Sequence, residues 1–244
     1  MPLRADVWAA MTSAADPHDE IDLDAGWRRL VVRSHLPAVL RRHMRAERQF
    51  LAAMLAPGGY DVVIEAGCAD GSLLLSTVIA AGCDYLGVDV VDQAVATTRR
   101  TIASMQLASG QRATAVRGDV RSLDEVTGVM DVAHRALVVM PFNLVGIVSR
   151  PGEAFRSAAA IGADIAVFTY RQTPLASAAR SEYFRRAGWP GVETVTPDAT
   201  HFHADHFTSS VYAASRLRSW LTSNMFKPTI SLYGEVGLAA IGVL

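Results

Sequence analysis

The sequence predicts an α/β protein: a doubly wound, mostly parallel sheet with an antiparallel C-terminal strand and an N-terminal helical cap. Three observations carry this. Short β-branched runs alternate with helical stretches from residue 61 to residue 187. A glycine-rich turn follows the first run, where a parallel sheet passes from strand to helix. The last two β-rich stretches have no helical pattern between them, so the chain reverses there and the final strand runs against the others. Half of the 244 residues are apolar and only 19% are charged, which excludes disorder and a small disulfide scaffold.

Residues 1–30 are polar and irregular, with Trp8 and Trp27 as isolated aromatics. From Ser34 the positions Leu36, Leu40, Met44, Leu51, Met54 and Leu55 recur at helical spacing. Pro37 suits the first turn of that helix, and Pro57-Gly58-Gly59 ends it. Its other face, Arg41, Arg42, His43, Arg45 and Arg48, reads as solvated; the alternative is an anion-binding face.

Asp61-Val62-Val63-Ile64-Glu65 reads as a strand buried on both faces. A tight loop over 66–71 leads into a helix over 72–81, closed by Gly82. A second strand follows at 85–89, a helix at 92–107, and strands at 113–117, 136–140 and 165–170, then a helix at 176–187. Residues 190–210 are polar, rich in His and Thr, and read as a long surface loop. A helix over 213–221 precedes β-rich stretches at 229–233 and 238–243. No linker interrupts the chain, so 1–244 is expected to be one domain, with 1–56 as the cap and 57–244 as the core.

Charge and targeting signals narrow the partners. The net charge is −1, so no basic field exists to hold a nucleic acid or an anionic membrane surface. No apolar run approaches the roughly 18 residues of a membrane span. The first twenty residues carry Asp6, Asp16, Asp19 and Glu20 and no apolar segment, so secretion is not expected. Cys68 and Cys83 are accordingly read as reduced thiols of a cytoplasmic protein, monomeric or homodimeric. Among 23 basic residues only Lys227 is a lysine, a bias of GC-rich bacterial coding rather than of mechanism.

The stretch from Val62 to Ser72 reads strand, acid, glycine loop, helix. Such a turn lets a ligand approach the backbone and offers it free N–H groups. A dinucleotide-binding G-x-G-x-x-G starting at Gly67 would need glycines where Ala69 and Ser72 stand, and the G-K-[ST] of a P-loop is absent. What fits is acid-x-Gly-x-small-x-Gly: Glu65, Gly67, Ala69 and Gly71. Asp89 ends the second strand, where an acid accepts hydrogen bonds from ribose hydroxyls in doubly wound nucleotide folds. Arg117-Gly118-Asp119-Val120 ends the third; an integrin-type reading of its first three residues fails for a cytoplasmic chain.

On these elements the sequence resembles the class I S-adenosylmethionine (SAM) methyltransferases, over roughly Leu36 to Leu244 with its specific motifs between Val62 and Val145. The resemblance implies a Rossmann-like fold that binds SAM and releases S-adenosylhomocysteine (SAH). It implies a cofactor site of Glu65, Gly67, Ala69, Gly71, Asp89, Val90, Asp119, Val120 and Met140, with Asp119 facing the adenine amino group and Val120 its ring. The family has a third glycine where this chain has Ala69, a departure tolerable if the backbone keeps a negative φ there.

The acceptor is expected at the loop after strand four, Met140-Pro141-Phe142-Asn143, and beside Tyr170 and Arg171 after strand five. This loop lacks the [D/N]-P-P-[Y/F] of the methyltransferases that modify nucleobase amines, and Ala136 stands where many relatives have an aspartate. The expected acceptor is therefore a small molecule, methylated on N or O, in a bacterial antibiotic or other natural-product pathway. The alternatives are a protein or RNA methyltransferase, or a SAM-binding protein that does not methylate. An alcohol acceptor needs a base, and His201, His203 and His206 in the 190–210 segment are the candidates; Phe202 and Phe207 would wall the pocket. Three histidines beside Asp205 invite a metal reading, but no matching Cys/His pair exists elsewhere, so no metal is expected. His134 is read as structural, and Trp8, Trp27 and His35 as part of an N-terminal lid.

Overall fold

The computed structural model of the chain describes residues 32–126, 128–129, 135–204 and 207–244. Ten strands are described: β1 (Val62–Ala66), β2 (Asp84–Asp89), β3 (Ala113–Arg117), β4 (Ala136–Met140), β5 (Asp164–Tyr170), β6 (Val192–Val195), β7 (Ala199–Ala204), β8 (Phe207–Tyr212), β9 (Lys227–Tyr233) and β10 (Gly237–Val243). Six α-helices accompany them: α1 (Ala38–Leu55), α2 (Leu75–Ala80), α3 (Asp92–Ala103), α4 (Gly152–Ala160), α5 (Pro174–Arg186) and α6 (Ala214–Ser223). None of these helices is long and apolar enough to cross a membrane.

Seven strands form one sheet in the order β3-β2-β1-β4-β5-β10-β9. Strands β1 to β5 are parallel, and β10 is antiparallel to both β5 and β9, as the missing helix between the last two strands required. Every residue of β1 and β4 is buried, because helices cover both faces. Alternation along β1 sends Val62, Ile64 and Ala66 into one core with Phe155 of α4 and Leu217 of α6. It sends Val63 into the other, with Leu51 and Leu55 of α1 and Leu75 and Val78 of α2. The strand order turns back between β1 and β4, so the loops at their carboxyl ends diverge and leave a crevice.

Three expectations are corrected. Helix α4 was not foreseen; its GEAFRSAAA sequence is short and rich in small residues, and it completes the crossover from β4 to β5. Residues 190–210 are not a loop: β6, β7 and β8 form a separate antiparallel sheet in that order. The period-two signal was present, since Thr200 and Phe202 point inward while His201 and His203 point outward, but polar side chains masked it. Finally, His43 does not lie on a solvated face. The buried stripe of α1 is Leu40, His43, Glu47, Leu51 and Leu55, a three-and-four spacing that runs through two polar residues.

Candidate active site

The side of the crevice expected to hold the cofactor is built by the loop after β1. Gly67, Ala69 and Gly71 take φ of +66°, +50° and +73°. The negative φ set as the condition for tolerating Ala69 is therefore not met: it holds a left-handed conformation that costs an alanine about 1–2 kcal/mol. Its surroundings over-determine that shape. The Ala69 N–H donates to Asp89 Oδ2 at 2.9 Å, and its carbonyl accepts from Thr98 Oγ1 at 2.9 Å. The Gly67 N–H donates to the Val88 carbonyl at 2.7 Å, tying the loop to β2. A Cβ on Gly67 would meet Leu144 Cδ1 at 2.9 Å, so the segments after β1 and β4 touch across the crevice.

Asp89 spends one lone pair of each oxygen on this frame, because Oδ1 accepts from the Val91 N–H at 3.0 Å. Each oxygen keeps a second lone pair for a ligand hydroxyl. Burial raises its pKa, and the backbone N–H groups of Val91, Ala69 and Val90 oppose that rise. Asp119 caps the turn after β3 and is bonded by Arg121 through its backbone N–H, Nε and Nη2. Partial burial pushes its pKa up, but the Arg121 bonds outweigh this and hold the carboxyl below its usual range.

Glu65 is fully buried on the α1 side of β1, where Tyr85 Oη donates to Oε2 at 2.7 Å. Its Oε1 has no partner. Burial lifts the carboxyl to about 8, against the opposing Tyr85 bond. Val120 and Met140 are buried, whereas Val90 is exposed. Cys68 packs against Gly87, and burial drives its thiol pKa well up, which suits packing rather than nucleophilic chemistry.

The acceptor side is held differently. Phe142 and Asn143 take φ of +45° and +65°, two left-handed residues in succession. The Phe142 N–H donates to Glu47 Oε1 of α1 at 3.1 Å, and the Asn143 N–H to the Phe168 carbonyl at 2.8 Å. Asn143 Nδ2 donates to Ser209 Oγ at 3.2 Å and to the Ser210 carbonyl at 3.1 Å, while Thr169 Oγ1 donates to Asn143 Oδ1. The Asn143 amide is thus engaged within the protein, joining the β4 loop to β5 and β8.

Glu47 also accepts from Tyr233 Oη at 3.3 Å and lies 3.6 Å from His43 Nε2. Burial lifts Glu47 to about 8, against the bonds of Phe142 and Tyr233, and pushes His43 down to about 3. At neutral pH this contact joins an uncharged imidazole to a carboxylic acid and is no ion pair. The ring of Tyr170 lies 4.7 Å from that of His43, and Phe142 packs edge-on to Tyr170 at 6.1 Å. Arg171 is half-buried, with its Nε unpartnered.

On the small sheet, His201 Nδ1 lies 2.8 Å from Ser210 Oγ, and His203 Nε2 lies 3.1 Å from Thr194 Oγ1. Phe202 faces the other way and packs on Phe184 at 4.6 Å. His206, Asp205, His134, Trp8 and Trp27 lie outside the described residues, as does the side chain of Phe207. Among the described residues, no three His, Cys, Asp or Glu side chains are placed to hold a metal ion.

In sequence, no family profile and no curated protein matches the chain. In structure, a SAM-dependent methyltransferase from Methanosarcina mazei superposes with a TM-score of 0.54 at 15% identity, over 76% of this chain and 93% of that one. The chain has the class I SAM methyltransferase fold. The magnesium protoporphyrin IX methyltransferase of Synechocystis PCC 6803, solved with bound SAH, matches 97% of this chain and 93% of its own length, with a TM-score of 0.55 at 14% identity. The glycopeptide N-methyltransferase MtfA matches 82% and 95%, with a TM-score of 0.56 at 14% identity. At such identities the likeness is one of fold.

Within this methyltransferase fold, Gly67, Ala69, Gly71, Asp89 and Asp119 come together at the carboxyl ends of β1, β2 and β3. Sequence reasoning missed Glu47 and Arg180. Both were legible as steps of a three-and-four spacing, Glu47 after Leu40 and His43, and Arg180 within the stripe Ala176, Ala179, Tyr183 and Phe184.

Proposed function

We propose that the chain is a SAM-dependent methyltransferase that methylates an N or O atom of a small molecule, within a bacterial natural-product pathway. The observation that carries this is the left-handed loop Gly67-Cys68-Ala69-Asp70-Gly71 locked to Asp89 at the strand-order reversal. When bound, SAM supplies a methyl group on a positively charged sulfur. The residues present suit it. The loop brings backbone close to the crevice, Asp89 has lone pairs left for both ribose hydroxyls, and Glu65 Oε1 is an acceptor short of a partner.

Asp119 would divide its carboxylate between Arg121 and the adenine amino group, with Val90 and Val120 beside the ring and Met140 as a wall. Residues 57–244 would form the catalytic core, with 1–56 as its cap.

On the acceptor side, Phe142 and Tyr170 would supply an apolar wall and Arg171 a polar rim, while Asn143 positions the loop. Much of the rate in such a displacement comes from aligning nucleophile, methyl and sulfur and from excluding water. An alcohol acceptor would add the need for a base, and the described histidines His201 and His203 lie on the outward face of the small sheet, so neither is assigned that role. The test is transfer of tritium from methyl-labelled SAM in the presence of fractionated bacterial metabolites. Label should appear in a small-molecule fraction. Label in protein or RNA instead, or in nothing while SAM binds, would overturn the reading.

A further inference from the structure

Arg180 of α5 is 1% exposed and is the bulkiest fully buried side chain among the described residues. A guanidinium carries five N–H donors and does not give up its charge. Here it is poorly satisfied. Its hydrogen bonds both leave Nη2, for the Ser209 carbonyl at 2.8 Å and Ser209 Oγ at 3.4 Å. Its Nε is buried with no partner among the described residues. The acid opposite, Glu193 of β6, stands 3.7 Å from Nη1, and its Oε1 is buried without a hydrogen bond of its own. A buried charge is tolerated when it is both paired and hydrogen-bonded, and this one is neither fully. Unsatisfied buried groups of this kind call for an explanation, and a ligand that completes the bonding is one.

The deficit lies on the acceptor side. The guanidinium sits 5.8 Å from the centroid of Tyr170, which packs against Phe142 of the β4 loop. Phe142 also meets Tyr183 edge-on at 6.0 Å. The surroundings are therefore flat rings with one cation. A planar monoanion matches both, since a carboxylate accepts charge-assisted hydrogen bonds from a guanidinium's free N–H donors.

We propose that Arg180 anchors a carboxylate carried by the methyl acceptor, and that Glu193 occupies its place until the acceptor enters. Only the word acceptor rests on the methyltransferase reading; the anion site stands on the bonding of Arg180.

The experiment is calorimetry on the full chain, with and without SAH, using benzoate against neutral benzamide and acetate against acetamide. The wild-type chain should prefer a carboxylate to its amide by at least about ten-fold. Arg180→Gln should abolish the preference, and Arg180→Lys should keep part of it. Glu193→Gln should tighten carboxylate binding, since it removes the competitor. A purely structural ion pair predicts the opposite for Glu193→Gln: lower stability and no gain in binding. Should Arg180→Gln fail to fold, Arg180→Lys and Glu193→Gln decide the matter. Equal binding of acids and amides by the wild-type chain, or weaker carboxylate binding by Glu193→Gln, would overturn the proposal. If SAH binds while acids and amides bind alike, the anchor alone fails. If SAH does not bind while acids are preferred, the methyltransferase reading fails and the anion site stands.

Discussion

The loop after β1 and the segment after β4 face each other across the crevice, and both force non-glycine residues into the left-handed region: Ala69 in the first, Phe142 and Asn143 in the second. The first is held by its near neighbours in the fold, Asp89 at the end of β2 and Thr98 on α3. The second is held by side chains from distant parts of the chain: Glu47 on α1, Thr169 on β5, and Ser209 with the Ser210 backbone on β8. The side proposed for the cofactor is thus a compact, locally determined frame. The side proposed for the acceptor forms only once α1 and the small sheet have docked, which leaves it open to change from several directions.

Breaking the acceptor side at its centre should have the largest effect. Asn143→Ala removes the partner of Thr169, Ser209 and the Ser210 carbonyl at once and keeps a left-handed residue without an amide to favour it. Denaturant unfolding should show a loss of about 3 kcal/mol. A loss under ~1 kcal/mol would mean that the small sheet is not held through this residue.

The buried acids of the two sides give the second effect. Glu47 and Glu65 titrate near 8 in the fold against 4.5 when exposed, so the folded chain holds protons over that interval that the unfolded chain has lost. Their stabilising protonation is complete below 4.5 and is lost as pH rises to about 8. His43 acts in the other sense, adding stability as pH rises from about 3 to 6.5 and nothing above. The window from 6.5 to about 8 therefore isolates the acids. The melting temperature should fall across it, and Glu47→Gln should flatten the fall. A wild-type profile that rises over this window would contradict the burial of uncharged acids.

The smallest effect should come from relaxing the cofactor side. Ala69→Gly removes the left-handed penalty and adds unfolded-state freedom, so the two partly cancel and stability should rise by about 0.5 kcal/mol or stay level. SAH affinity should be unchanged, because the Ala69 N–H and carbonyl keep their bonds. A clear loss of stability would mean that Ala69 is not left-handed.

This contrast also explains what the sequence could reveal. Strands β1 to β5 were legible as β-branched runs bounded by turns, and the grouping of Gly67, Gly71, Asp89 and Asp119 at one end of the sheet was legible because these residues stand at fixed steps from strand ends. The left-handed state of Ala69 was hidden, since the hydrogen bond that holds it runs from its N–H to Asp89, twenty residues away. His43 and Glu47 were hidden by their polarity, although their spacing from Leu40 and Leu51 already placed them on the buried stripe. The β6–β8 sheet was hidden because His, Thr and Ser alternate there with few apolar residues to mark the inner face. Polar residues inherit burial from tertiary partners, and no local pattern announces those partners.

The central claim is that the Asp89-locked loop is a SAM site, and calorimetric titration with SAH tests it most directly. The wild-type chain should bind SAH at a single site. A folded Asp89→Ala chain should lose both the ribose acceptors and the bond that sets Ala69, so its affinity should fall at least about ten-fold. No saturable binding by the wild-type chain, or unchanged affinity in Asp89→Ala with its fold verified by circular dichroism, would contradict the account.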